Sequence, residues 1–191
     1  MSKPPILIGL VGAANAGKDT AAAHLERAWA FERMAFAEPI QLMLTQLFAT
    51  CGIDGAWAAD RSLKEMPTPL GFSYRHLAQT LGTEWGRKGL TENLWTRVAE
   101  MRIDGTPELQ GANIVFSDIR FPNEAAWIKS RGGYLVHVWR DPATRGATRK
   151  HESEQHCDEI ETDTELINVG SIATLELQID RMVEFMLKQV A

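Results

Sequence analysis

The stretch Ile6-Leu7-Ile8-Gly9-Leu10-Val11-Gly12-Ala13-Ala14-Asn15-Ala16-Gly17-Lys18-Asp19-Thr20 constrains this chain more than any other. An apolar run of strand length enters a glycine-flanked loop, and the loop opens into a helical pattern. That context is what a phosphate-binding loop requires. Glycines let the backbone curl so that several N–H groups converge on one anion, and the first helical turn adds unpaired N–H groups and the positive end of its dipole. Lys18 follows as a mobile cation for the β- and γ-phosphates. Gly12, Ala14, Asn15, Ala16, Gly17, Lys18, Asp19 and Thr20 are therefore candidate nucleotide-binding residues. Asp19 departs from the usual pattern, in which Ser or Thr holds Mg²⁺ at that point, and Thr20 comes one place later.

A chain of 191 residues is expected to form one domain with a proper core. The net charge of −5 argues against general binding to nucleic acid, which needs a broad basic surface. A nucleotide remains compatible with it, because a few arginines focused in one cleft suffice. Met1-Ser2-Lys3-Pro4-Pro5 leads straight into the first apolar run, without the features of a signal peptide. No apolar stretch approaches the roughly 20 residues that span a bilayer. Cys51 and Cys157 offer no disulfide framework, so a reducing, cytoplasmic location is expected.

Four more strand candidates follow the first: Arg33–Phe36, Asn113–Asp118, Tyr134–Trp139 and Glu165–Val169. Asn113–Asp118 and Tyr134–Trp139 are apolar on both faces, which suits parallel strands covered on each side by helices. Helical patterns fill the intervals at Thr20–Ala30, Pro39–Ala49, Tyr74–Arg87, Glu92–Arg102 and from Pro122 to a stop at Gly132-Gly133. A last helix carries Leu175, Ile179, Met182, Val183, Met186 and Leu187 on one face. Strands alternating with helices predict a three-layer α/β domain with a five-stranded, mainly parallel sheet. Ligands of such sheets bind beyond the carboxyl ends of the strands. Gly12–Thr20, Asp118–Arg120, Arg140–Arg149 and Asn168–Ser171 would then surround one crevice. Gly52–Gly71 and Arg140–Thr164 lack a core pattern and are expected to be mobile excursions.

Asp118 closes an apolar strand, the expected place of a second carboxylate that orients Mg²⁺ or its waters. Arg120, Asn123 and Glu124 follow it at the mouth of the crevice; the alternative is a capping cluster for the next helix. A second constellation runs from Tyr74 to Arg87. Arg75, Gln79 and Arg87 recur near one helical face, with Gly82-Thr83 expected to interrupt the helix. Arginine supplies forked donors for phosphate, and Gln79 or Thr83 can read a base edge. A third, Arg140–Glu154, holds Arg145 and Arg149 and suits either a lid over phosphates or a charged solvent loop. His151, Glu154, His156, Cys157 and Asp158 match no familiar zinc spacing.

Taken together, these residues resemble the phage deoxynucleoside monophosphate kinases, a branch of the P-loop nucleoside monophosphate kinases. The resemblance runs through Gly17-Lys18-Asp19-Thr20, then Leu81-Gly82-Thr83-Glu84 with Arg87 and Trp95. It continues through Ser117-Asp118-Ile119-Arg120-Phe121-Pro122-Asn123-Glu124, His151-Glu152-Ser153-Glu154 and Ile167-Asn168-Val169-Gly170. It implies the P-loop NTPase fold, with residues 72–104 as a helical acceptor-binding insert and 140–164 as a lid. Asp19 before Thr20 is normal for such a family, with Mg²⁺ held by Asp19 and Asp118 largely through water.

By the same resemblance Arg120 grips the acceptor phosphate, while Arg75, Gln79, Thr83, Glu84, Arg87, Trp95 and Asp118 line the substrate site. Asn168, Gly170 and Ser171 lie near the adenine of ATP. Lys18, Arg120, Arg145 and Arg149 carry the transfer ATP + dNMP → ADP + dNDP. A homodimer is a further implication, through the Leu42–Phe48 helix or the C-terminal helix. Two other readings remain: a kinase for dephospho-coenzyme A or phosphomevalonate, and a nucleotide-binding switch. The chain has no Asn-Lys-x-Asp run of the kind that specifies guanine.

Overall fold

The apolar run Leu7–Val11 forms β1, the central strand of a parallel five-stranded sheet. The structure, a computed structural model, describes residues 5–60, 62–141 and 160–189. Along the chain, β1 leads to α1 (Lys18–Trp29), β2 (Glu32–Met34), α2 (Glu38–Thr50), α3 (Ala56–Ala59) and α4 (Tyr74–Gln79). A π-helical run, Thr80–Leu90, continues α4 and is followed by α5 (Leu94–Gly105). Then come β3 (Ile114–Ile119), α6 (Pro122–Ser130), β4 (Tyr134–Trp139), β5 (Thr164–Ile167) and α7 (Ile172–Gln189). The strand order is β2-β3-β1-β4-β5, with every pairing parallel.

The chain divides into two compact units, residues 1–35 with 101–191, and residues 36–100. In the first, Ile8, Leu10, Val115, Val136 and Val138 are fully buried between helices. Each such aliphatic side chain contributes about 1.5–3 kcal/mol by leaving water. Helices α1 and α7 pack on this core through Ala21, Ala22, Leu25, Leu175, Ile179 and Val183. Polar contacts fasten the two helices at their rims. His24 Nε2 and Trp29 Nε1 both lie within hydrogen-bond reach of Asp180 Oδ1, at 2.7 and 2.8 Å, and Arg27 Nη2 donates to Glu176 at 2.6 Å. At the sheet edge, Gln178 of α7 accepts from the N–H of Ile167 and donates to its carbonyl, both at 3.0 Å.

The second unit is helical, built on Ile40, Leu44, Phe48, Tyr74, Trp95 and Ala99. Helix α2 also exposes Leu42, Met43 and Leu47 on its other side. The expected break at Gly82-Thr83 does not occur: the helix widens into the π-helical run instead. These glycines serve approach rather than termination. A Cβ on Gly82 would come within 2.9 Å of the Ile40 side chain, and one on Gly86 within 2.6 Å of the Trp95 ring. Trp95 Nε1 also donates to the Gly82 carbonyl at 2.9 Å. Gly52–Gly71, expected to be an excursion, contains α3, and its Pro67 forms a bridge to Ser73 just beyond it.

Candidate active site

At the carboxyl end of β1 the chain turns into α1 through Gly12, Asn15 and Gly17, all with positive φ (143°, 61° and 109°). Only glycine fits the first of these places. A Cβ on Gly12 would sit 2.4 Å from the carbonyl oxygen of Val138 on the neighbouring β4. The loop therefore lies directly against the sheet. Gly17 is the N-cap of α1 and has no side chain to satisfy the first-turn N–H groups. Donors of that kind, left by the cap, are what an anion can accept from.

Lys18 begins α1, and its ammonium donates to the carbonyls of Gly12 and Ala13 at 2.6 and 2.8 Å. The cation is thus folded over the loop it is expected to serve. Asn168, just past β5, donates its side-chain amide to the Ala16 carbonyl at 2.8 Å. A Cβ on Gly17 would meet that same amide at 2.4 Å. Asn168 thus braces the loop backbone, a task the adenine assignment did not foresee. Gly170 and Ser171 follow, with positive φ at Gly170 and a hydrogen bond from Thr174 N–H to the Ser171 hydroxyl.

Beside the loop, β3 carries one more residue than β1 between paired positions: Gly9 faces Phe116, yet Val11 faces Ile119. Such bulges re-aim side chains next to sites, and this one falls at Ser117-Asp118. Asp118 is partly buried on the strand end. Arg120 is exposed in the turn that follows. Glu124, 2% exposed, accepts from the backbone N–H groups of Arg120 and Phe121 at 2.8 and 3.1 Å. The cap of α6 is therefore furnished by Glu124, a member of the cluster in which the sequence allowed a cap, reaching back over Phe121.

Asp19, in the first turn of α1, forms an ion pair with Arg33 of β2. Sequence reasoning missed Arg33, which belongs to no motif. Among oxygen donors suited to a hard cation such as Mg²⁺, Asp19 is exposed on the helix and Asp118 stands on the strand end beside β1. The chemistry of these two carboxylates fits such an ion. No cluster of three or more His, Cys, Asp or Glu residues suited to a metal occurs among the described residues.

In the helical unit, Arg75 forms an ion pair with Glu65, and Arg87 donates to the Glu92 carbonyl at 3.1 Å. Glu84 pairs with Lys88 at 2.9 Å. Gln79 and Thr83 are partly buried. Trp95, expected at the substrate, is a core residue of this unit at 3% exposure. Trp85 is the exposed ring, tilted against Trp95 with centroids 6.5 Å apart. Arg145 and Arg149, together with His151 to Asp158, lie outside the described residues. No helix among the described residues is long and apolar enough to cross a membrane.

In fold, the chain is similar to TT1252 from Thermus thermophilus (TM-score 0.55, 17% identity, 99% of this chain and 100% of that one). It is likewise similar to shikimate kinase from Aquifex aeolicus (TM-score 0.51, 13% identity, 95% and 98%). The architecture is that of the P-loop kinases. A protein of Acanthamoeba polyphaga mimivirus that carries a deoxynucleotide monophosphate kinase name is 32% identical over 185 residues, 91% of this chain and 94% of its own length. The model of the deoxynucleotide monophosphate kinase family matches residues 64–179. With the phosphate loop preceding that match, the chain belongs to the deoxynucleotide monophosphate kinase family.

Proposed function

We propose that the protein catalyses ATP + dNMP → ADP + dNDP. The observation that carries this reading is the Gly12–Lys18 loop, which sets a lysine and an uncapped helix terminus at the carboxyl end of β1 in a chain of this family. A phosphate oxygen of the monophosphate attacks the γ-phosphorus of ATP, and the bond to the β–γ bridging oxygen breaks. The nucleophile is already anionic near neutral pH, so the protein need supply no general base. Catalysis becomes positioning and charge stabilisation.

The loop N–H groups and Lys18 hold the donor phosphates, Lys18 exchanging its loop carbonyls for phosphate oxygens. Asp19 and Asp118 would hold Mg²⁺, in part through water. When bound, the ion supplies neutralisation of the phosphate charge. Arg120, fixed at its backbone by Glu124, binds the acceptor phosphate. Arg75, Gln79, Thr83 and Arg87 contribute acceptor recognition, and Gly170 and Ser171 border the adenine. Arg145 and Arg149 are assigned to the charge of the transferring phosphoryl group.

The test is nucleotide-dependent ADP release over a panel of acceptors: thymidylate, deoxyguanylate, other deoxy- and ribonucleoside monophosphates, and dephospho-coenzyme A. Rapid release with deoxynucleoside monophosphates and little without an acceptor is expected. Lys18→Ala should fold normally and lose about 10²–10³ in rate, as when a preorganised charge contact is removed. Acceptor-independent hydrolysis, or turnover only with dephospho-coenzyme A, would overturn the reading.

A further inference from the structure

Asp19 poses an electrostatic problem. It follows Lys18 directly and lies in the first turn of α1, where the helix offers its N–H groups and positive dipole end to an anion. A carboxylate is comfortable there by itself. Until an ion sits between them, a triphosphate arriving at the same terminus meets it as a like charge. A hydroxyl, the usual occupant, would raise no such conflict.

The fold supplies a cation for Asp19. Arg33 stands on β2, an edge strand, in register with Val115 and one residue before the strand's end. Its guanidinium crosses to α1 and donates from Nη2 to Asp19 Oδ1. The Asp19 side chain is 69% exposed and that of Arg33 35%, so neither group is driven to the other by burial. Lys18, the nearest cation in sequence, directs its ammonium to the Gly12 and Ala13 carbonyls.

Resting on the triphosphate reading of the loop, we propose that Arg33 is a positioning residue of the donor site. It compensates the Asp19 carboxylate, so that α1 meets the incoming phosphates without a bare negative charge. Arg33 acts through Asp19. The substitution of an acid for the usual hydroxyl is thereby a two-residue device, one part in the loop and the other on a strand 14 residues away in sequence.

The experiment is calorimetric titration of ATP, in EDTA and at low salt, into wild type, Arg33→Met, Arg33→Lys, Asp19→Asn and the Arg33→Met/Asp19→Asn double variant. Arg33→Met should weaken binding about tenfold, the equivalent of about 1.4 kcal/mol. Arg33→Lys should keep most of the affinity, and Asp19→Asn should keep or tighten it. The double variant should regain most of what Arg33→Met loses, because no carboxylate is left to compensate. High salt should shrink all these differences. Support for the fold alone could not produce that recovery.

Binding by Arg33→Met within about twofold of wild type would overturn the proposal, being far below a tenfold charge effect. So would a double variant as weak as Arg33→Met, since Arg33 would then touch phosphate directly or serve only the fold. Wild type that binds no ATP, either in EDTA or with Mg²⁺ restored, overturns both this proposal and the functional reading. Wild type that binds ATP, with no loss in Arg33→Met, overturns this proposal alone.

Discussion

The side-chain amide of Asn168 lies 2.8 Å from the carbonyl oxygen of Ala16 and donates to it across 152 residues of sequence. The turn after the last strand thus holds the phosphate loop in shape. Asn168→Ala should cost about 1 kcal/mol, the net value of one such hydrogen bond. Asn168→Asp should cost more, because it turns the donor into an anion facing a carbonyl. Thermal denaturation and ATP affinity should rank wild type, Ala and Asp in that order. An Asp variant that binds ATP as wild type does would refute the bracing role.

Glu124 and Arg120 should separate stability from substrate use. Glu124→Ala leaves the Arg120 and Phe121 N–H groups without their buried acceptor. The expected loss is about 1–3 kcal/mol, readable in urea denaturation, together with a raised KM for the monophosphate. Arg120→Ala changes an exposed side chain and should leave the urea midpoint near wild type. It should raise the monophosphate KM with little effect on that of ATP. An effect of Arg120→Ala confined to ATP affinity would contradict its place at the acceptor.

Acid should loosen the fastening between α1 and α7. Hydrogen bonds from His24 and then Trp29, against a small opposing effect of burial, hold the Asp180 carboxyl below the usual carboxylate range. A folded-state pKa below the unfolded one stabilises the fold at pH values above the unfolded pKa. That contribution is lost as pH falls through the folded one, below about pH 4. Asp180→Asn should therefore lower stability near neutrality and flatten its dependence on pH in that acidic window. Parallel pH–stability curves for variant and wild type would count against it.

Much of this fold could be read from composition and period. The strands Asn113–Asp118 and Tyr134–Trp139 were legible because each buries neighbouring apolar residues on opposite faces, Ile114 to Phe116 in one and Leu135-Val136 in the other. The loop was legible because positive φ at Gly12 and Gly17 demands glycine. The run Thr80–Leu90 misled for the same reason. Glycine signals a helix break and a close approach alike, and only the position of Ile40 and Trp95 tells which applies. Trp95 itself reads as core or as substrate contact until its neighbours are known. Arg33 gave no signal at all, since its meaning depends on a carboxylate carried by a different element.

Gln178 has a consequence beyond joining α7 to β5. Asn168 N–H turns inward to the Trp139 carbonyl on β4; the alternation of a strand therefore turns the N–H and carbonyl of Ile167 outward. An outward pair on an edge strand is an invitation for a foreign strand to dock. The Gln178 amide has the same donor and acceptor as a peptide group, and it occupies both partners at once. One side chain thereby imitates the strand that never comes, and at that residue the sheet offers a newcomer nothing to copy.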